Sequence, residues 1–177
     1  VGDLIKSKEA IELAKASLTY LREYPDWTYL VFGIFELAKA QLFFGEGKDN
    51  DAKSSIQEAL KYFEMSIPAR PYVPVCGKMY ADILIRNGQL IEAELYTRQV
   101  LKKAALNYGH ASFSIPLILG SLTTLYSEMG RLTEAEEVAR MALEIREQGG
   151  MAVNSLINVI IGMDLINALV LQENWDE

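Results

Sequence analysis

The chain is 177 residues long, half of its residues are hydrophobic, and its formal net charge is −7. The acidic charge argues against nonspecific binding to nucleic acid and against anionic membrane surfaces, since both attract basic proteins. The single cysteine, Cys76, excludes an internal disulfide framework and is typical of a reducing compartment. We therefore predict a cytoplasmic protein with no nucleic-acid or membrane partner.

Eight helices joined by short junctions are predicted in chain order. Their approximate ranges are 3–23, 27–44, 49–65, from the prolines at 68, 71 and 74 to 87, then 90–108, from 112 or 114 to 129, 134–148 and 152–171. Pro25 follows the first of these helices, and Pro116 lies in the first turn of the sixth, a position that tolerates proline. The longest uncharged run, 104–127, spans a junction, so it indicates two helices around a bend and not a membrane span.

A repeated pattern runs through these helices. The alanines Ala10, Ala52, Ala93 and Ala135 are 41 or 42 residues apart, a period typical of stacked structural units. The last three share a glycine five positions earlier, a large residue four positions before that glycine, and a small or β-branched residue followed by leucine seven positions later. The glycines are Gly47, Gly88 and Gly130, the large residues are Phe43, Leu84 and Tyr126, and the later pairs are Ala59–Leu60, Val100–Leu101 and Ala142–Leu143.

These positions predict one unit made of two helices. Glycine readily adopts the left-handed conformation at the C′ position, so each glycine should end the first helix of a unit. The alanine should then lie one turn into the second helix, where the two helices cross closely. In the fullest copy, residues 130–143, Thr133 and Glu136 have the spacing of a capping box. That spacing predicts the start of the seventh helix at about Glu134.

The glycine, alanine and large-residue positions resemble the tetratricopeptide repeat (TPR) family over essentially the whole chain. The unit is longer than the usual repeat of about 34 residues. It is similar to the long variant of kinesin light chains and of sensor domains in bacterial transcription regulators. Residues 107–111 leading into 119–126 are similar to the light-chain pattern, with Ala111 where that pattern has proline. The resemblance implies an all-α fold, an α-solenoid in which antiparallel helix pairs form a right-handed superhelix.

The same resemblance implies a binding site, because the first helix of each TPR unit lines a concave groove in which partners lie. Counting back from the glycines gives the groove candidates. They are Leu37, Gln41 and Phe44, then Lys78, Asp82, Ile85 and Arg86, then Gly120, Thr124, Ser127 and Glu128. The family's clamp for chaperone tails needs a lysine–asparagine pair, whereas Lys78 is followed here by Asp82. We therefore expect this chain not to bind such tails.

The repeat boundaries predict a single TPR-like domain taken from a longer array. A half-repeat at 1–25 precedes repeats at about 26–68, 69–110 and 111–149, and a half-repeat at 150–177 follows. The helix at 152–171 is apolar on nearly all sides, which is typical of a buried helix. Homo-oligomers formed through exposed terminal helices are therefore expected.

No residue pattern supports catalysis. The acidic residues of the second helices, which are Glu92, Glu94, Glu134, Glu136 and Glu137, could serve acid–base chemistry. Spacings such as Glu136–Arg140 and Arg140–Glu144 favour solvated surface pairs instead. The position of His110 at a junction indicates an ordinary loop residue and not a pH switch. Cys76 is interpreted as a buried structural thiol and not a reactive one. No metal or cofactor is predicted.

Two functions follow from the sequence. The first is a non-catalytic scaffold that binds a peptide or protein domain in its groove. The alternative is an effector-sensing or regulatory module of a larger signalling protein, such as a transcription regulator or a cyclase. The two differ in what the rest of the full-length protein would contain.

Overall fold

The computed structural model describes residues 25–110, 112–148 and 170, and every regular element within them is helical. The α-helices described between residues 25 and 148 are α1 (Pro25–Gly45), α2 (Asp49–Glu64), α3 (Val73–Arg86), α4 (Leu90–Tyr108), α5 (Ser114–Glu128) and α6 (Leu132–Gln148). A 3₁₀ helix, Ile67–Tyr72, joins α2 to α3. The all-α prediction is confirmed. The first and last predicted helices, 3–23 and 152–171, lie outside the described residues apart from Val170.

The prolines lie where the sequence predicted junctions. Pro25 begins α1, Pro74 is the second residue of α3, and Pro116 is the third residue of α5. Pro68 and Pro71 lie in the 3₁₀ helix. Each α-helical proline therefore falls in a first turn, where its missing amide hydrogen costs no helical bond.

None of the described helices is long and apolar enough to cross a membrane.

The chain divides into two compact units, Val1–Ile83 and Leu84–Glu177, with the boundary inside α3. In the first unit, α1 packs against α2, and both contact the 3₁₀ helix. Phe63 of α2 is fully buried there and stacks on Tyr72, with 5.3 Å between the ring centroids. The remaining buried members of this core are Leu37, Ala40, Ala52, Ile56, Ala59, Ala69, Cys76, Met79 and Ile83.

In the second unit, α5 packs against both α4 and α6. Eleven of the 15 residues of α5 are buried, so it is the core helix of this unit. Ala93 of α4 and Ala135 of α6 are fully buried, as is Ala52 in the first unit. The repeat alanines within the described residues are therefore packing positions, as predicted, while Ala10 lies outside them.

The turn between the helices of a pair has one hydrogen-bonding pattern. After α1, Gly47 has φ of +74° and donates its amide hydrogen to the carbonyl of Phe44 at 3.1 Å. Lys48 donates to the carbonyl of Phe43 at 2.8 Å, which completes a Schellman motif. The carbonyl of Lys48 then accepts the amide hydrogen of Ala52 at 2.9 Å, which starts α2.

The other two turns repeat this pattern. The glycines have φ of +71° at Gly88 and +72° at Gly130. The motif-closing bonds are Gln89 to Leu84 at 2.9 Å and Arg131 to Tyr126 at 2.8 Å, and the helix-starting bonds are Ala93 to Gln89 at 2.8 Å and Ala135 to Arg131 at 3.0 Å. The large residue four positions before each glycine is thus the acceptor that closes the motif. Its side chain can also cover the turn: the guanidinium of Arg131 lies 4.3 Å from the ring centroid of Tyr126.

This turn corrects one prediction about α6. The carbonyl of Arg131 accepts the first helical bond, so Arg131 is the N-cap and Thr133 lies inside the first turn. Thr133 and Glu136 therefore do not form a capping box. Glu136 instead pairs with Arg140, as the i,i+4 spacing predicted, with 2.9 Å between Nε and Oε1.

A glycine inside α1 supplies a test of the first core. A Cβ atom added at Gly33 would lie 2.3 Å from Cε1 and 2.4 Å from Cδ1 of the buried Phe63. Since Tyr72 stacks on Phe63, that ring cannot move aside freely. We expect Gly33→Ala to lower the free energy of unfolding by about 1–3 kcal/mol despite the higher helix propensity of alanine. Urea denaturation measures the change.

Gly45→Ala is the matched control, because a Cβ atom at the last residue of the same helix meets nothing within 4 Å. This control should leave stability unchanged or raise it slightly. Equal stability of the two variants would contradict the close approach of α1 to Phe63.

Candidate functional site

One side of α1 is open to solvent and mostly apolar. Trp27 is 56% exposed and Ile34 is 41% exposed. Gln41 is exposed as well and lies seven residues beyond Ile34. Residues seven apart lie on one face of a helix, so these three form a single band, here called the α1 stripe.

The structure separates the aromatic residues of α1, which the sequence alone could not divide. Phe35 is buried. Phe32 stacks on Tyr62 of α2, with ring centroids 5.4 Å apart. Phe43 and Phe44 pack against the first core. Trp27 remains as the large aromatic side chain on the exposed side.

The partner helix α2 shows a different surface. Its exposed residues between 49 and 64 are all polar or charged. They are Asn50, Asp51, Ser54, Gln57, Glu58, Lys61 and Glu64. Because α2 has an ordinary solvated face, the apolar exposure of α1 is not shared by the helix that packs against it.

The candidate residues of α3 are mostly charged. Lys78 and Asp82 are half-buried and form an ion pair, with 2.7 Å between Nζ and Oδ2. Arg86, four residues further on, is exposed. Ile85 is only 9% exposed and belongs to the buried residues. The accessible candidate residues of α3 are therefore charged, whereas the α1 stripe is mostly apolar.

The candidates of α5 are small and polar. Thr124 and Glu128 are exposed, and Ser127 is half-buried. The Thr124 hydroxyl donates to the carbonyl of Gly120 at 3.2 Å, so its hydrogen is used within the helix. Gly120 is buried, as is Leu37 of α1. Among the predicted groove residues, the accessible ones are thus Gln41, Lys78, Asp82, Arg86, Thr124, Ser127 and Glu128, while Phe44 packs against the core.

A polar network not anticipated from the sequence links three elements of the second unit. Glu94 of α4 accepts hydrogen bonds from Arg98 at 3.0 Å, from Arg131 at 3.1 Å and from the Tyr126 hydroxyl at 3.2 Å. Arg98 also donates to the Tyr126 oxygen at 2.6 Å. Arg131 in turn is bonded by two nitrogens to Glu134. We call these five residues the Glu94 network.

The charges of the network explain its pKa shifts. Partial burial alone would raise the pKa of Glu94, but hydrogen bonds from Arg98 and Tyr126 and the charge of Arg131 outweigh it, so that pKa is lowered. Burial, with the charge of Glu94 adding to it, raises the pKa of Tyr126. The hydrogen bond from Arg131 lowers the pKa of Glu134. Each carboxylate is stabilised in its charged form, which suits ion pairing and not proton transfer.

These contacts add to what the sequence predicted for one of the five acidic residues. Glu94 was expected to be a solvated helix charge, but its side chain is only 20% exposed and also binds Arg131 of the turn that precedes α6. Glu134 pairs with Arg131 three residues earlier and is half exposed, as a surface pair would be. The bond from Arg131 to Glu94 joins residues 37 apart. A helical spacing rule cannot detect such a pair, although the position of Arg131 directly after Gly130 was visible.

The two remaining candidate residues have the surroundings that the sequence predicted. Cys76 is fully buried, and burial raises the pKa of its thiol to about 12, so the reactive thiolate is disfavoured. His110 is exposed in the turn after α4, where the sequence placed a junction. Within residues 25–110 and 112–148, no three histidine, cysteine or acidic side chains gather in a way that could hold a metal ion.

The Glu94 network predicts a loss of stability in acid. Because the pKa of Glu94 lies below its ordinary value of 4.5 in the folded chain, the stabilisation is present above that value and is lost as the pH falls through the lowered one. We expect Glu94→Gln to lower the free energy of unfolding by about 1 kcal/mol at neutral pH and to have a smaller effect in acid. Urea denaturation at several pH values measures both.

Glu137→Gln is the control, since Glu137 is an exposed residue of α6 that lies outside the network. It should leave the pH dependence of the wild type unchanged. If the Glu94 variant showed the same acid profile as the wild type, Glu94 would not stabilise the second unit through its charge.

Comparison with known proteins supports the helical-repeat fold. No protein-family model matches the chain, and no curated protein matches its sequence. Among solved structures, the chain is similar to the crystal structure of BtubC (BKLC) from P. vanneervenii, a kinesin light chain-like protein. The TM-score is 0.67 with 17% sequence identity, covering 97% of this chain and 68% of that chain. At this identity the likeness establishes fold alone, a TPR-like α-solenoid.

Proposed function

We propose that the chain is a non-catalytic protein-interaction scaffold that binds a peptide or protein domain through the exposed faces of the first helices of its repeats. Helical-repeat folds of this kind generally serve protein–protein interaction. The observation that assigns this binding to a specific surface is the exposed, mostly apolar α1 stripe.

An exposed tryptophan and an exposed isoleucine on one helix face favour binding for energetic reasons. Trp27 and Ile34 leave apolar surface in water, and covering such surface contributes roughly 25 cal/mol for each Å². Tryptophan is also among the side chains that most often dominate binding energy at interfaces. The α1 stripe therefore supplies affinity for an apolar side chain of a partner.

The candidate residues Lys78 and Asp82 of α3 supply selectivity more than strength. Lys78 and Asp82 already neutralise each other, so a partner gains little from either charge unless it displaces the other. A ligand with misplaced charges would nevertheless leave this half-buried pair unsatisfied and would be rejected.

The chemistry of the described residues supports a role without catalysis. The carboxylates with lowered pKa values are those of the Glu94 network, where arginines hold them in the charged form. The buried Cys76 thiol is disfavoured as a nucleophile. Neither arrangement provides the poised acid, base or nucleophile that a catalytic step requires.

Selection of binders from a random peptide library tests the proposal. Peptides selected on the whole chain should contain a large apolar residue, and their affinity should fall by about tenfold or more in the double variant Trp27→Ser with Ile34→Ser. A second variant, Lys78→Glu with Asp82→Lys, keeps an i,i+4 ion pair while reversing its direction. This variant should change which peptides bind and not whether the chain folds.

A matched control replaces the exposed Gln57 and Glu64 of α2 by alanine, since these lie on the polar face of the same unit. Fluorescence polarisation measures affinity, and circular dichroism confirms helix content. Peptides that bind the two surface variants and the control with equal affinity would show that the first helices are not the site.

A further inference from the structure

A second apolar surface lies on α4, a helix that carries none of the predicted groove residues. Ile91 is 75% exposed, Leu95 is 61% exposed and Leu106 is 76% exposed. With Lys102, which is also exposed, they follow the helical spacing i, i+4, i+11 and i+15 and so form one band about 22 Å long. We call these four residues the α4 stripe. The buried residues of the same helix, Ala93, Thr97 and Ala104, lie on its opposite side.

The repeat itself provides an internal comparison for this stripe. The second helices α2 and α6 carry residues at the same distances from their repeat alanines. In α2 these are Asn50, Ser54, Lys61 and the cap residue Met65, and in α6 they are Thr133, Glu137, Glu144 and Gln148. Seven of these eight residues are exposed and polar, and the eighth, Met65, is exposed and apolar. A second helix therefore does not need aliphatic residues here to fold, so those of α4 require another reason.

The positive charge of the α4 stripe indicates the chemistry of a partner that would bind there. Within the described ranges, Lys39, Lys48, Lys61 and Lys78 each form an ion pair, and Lys53 lies over the ring of Tyr80. Lys102 and the adjacent Lys103 are exposed and make no ion pair with any described residue. They are an uncompensated positive spot on a chain whose net charge is −7. A partner surface that complements the α4 stripe would therefore be apolar opposite the aliphatic residues and would carry carboxylates opposite Lys102 and Lys103.

A second copy of the same stripe fits poorly. Pairing two α4 helices would bring the lysines of both copies into one interface, where like charges repel. One helix face of this length also covers far less than the roughly 800 Å² per partner of a stable interface. A short helix from another protein avoids both difficulties, because its charge can be opposite and a transient contact needs less area.

We propose that the α4 stripe is a docking surface for an amphipathic, acidic helix of another protein. The aliphatic side of that helix covers Ile91, Leu95 and Leu106, and its carboxylates pair with Lys102 and Lys103. This surface is independent of the α1 stripe, so either could exist without the other.

Two designed peptides of about 18 residues, each long enough to span the stripe, probe the proposal. Both carry the same leucine band at helical spacing, and they differ only in having glutamate or lysine beside it. Fluorescence polarisation with the whole chain should show binding of the glutamate peptide and at least tenfold weaker binding of the lysine peptide. The difference should shrink as salt is added, since salt screens exposed charges.

Variants taken from the neighbouring repeats keep the fold while removing the stripe. Ile91→Thr, Leu95→Ser and Leu106→Gln introduce the residues that stand at the same register in α6, α2 and α6. This triple variant should weaken the glutamate peptide at least tenfold. Lys102→Glu should reverse the preference between the two peptides. Met65→Gln is the control, because Met65 is 60% exposed at the same register but lies at the end of α2.

Several outcomes would overturn the proposal. The glutamate peptide could bind the triple variant as tightly as the wild type, or fail to bind the wild type at about 1 mM, the weak end of specific affinity. Alternatively, the wild type could sediment as a dimer that the triple variant abolishes, which would assign the stripe to a second copy. Binding of library-selected peptides to the α1 stripe is measured in a separate experiment. Failure of the α4 proposal would therefore leave the α1 proposal standing, and the reverse also holds.

Discussion

The rest of the fold depends on a turn of three residues that occurs three times among the described helices. Glycine at the C′ position lets the chain reverse, and the next residue both closes the preceding helix and caps the following one. The helix after the turn therefore starts at a fixed distance from the glycine. Its first hydrogen-bond donor is the repeat alanine, which is fully buried after each of the three turns. A larger side chain at this buried position would displace its neighbours, so the turn determines both spacing and side-chain size.

This geometry divides the surface of the protein unequally. A helix with neighbours on several sides, such as α5, keeps few exposed positions, and these are small or polar. The second helices α2 and α6 expose long polar faces, which is the ordinary arrangement for an amphipathic helix. Apolar residues on an exposed face are therefore departures from the pattern. The α1 and α4 stripes are two such departures, and they lie on the two different kinds of helix in the repeat.

The fold was largely predictable because its determinants are local. The bounds of α4 matched the prediction at both ends, since one glycine turn precedes it and Gly109, with φ of +83°, ends it. The start of α6 was placed too late because Thr133 and Glu136 imitate a capping box, whereas the turn at Gly130 acts two residues earlier. The exposed side of α1 was not predictable, because apolar residues surround most of that helix and no polar face marks its orientation.

The Glu94 network could not be predicted because its partners come from α4, α5 and the turn before α6. The backbone of the turn residue Arg131 closes α5 and starts α6. Its side chain also stacks on Tyr126 and binds Glu94. Arg98, which bonds to Glu94 and Tyr126, lies on α4 next to the α4 stripe, one helical turn from Leu95 and from Lys102. The network therefore attaches α4 to α5 beside the proposed docking surface. A helix attached in this way already holds its aliphatic residues in place, so this chain would lose less conformational entropy on binding a partner than a mobile segment would.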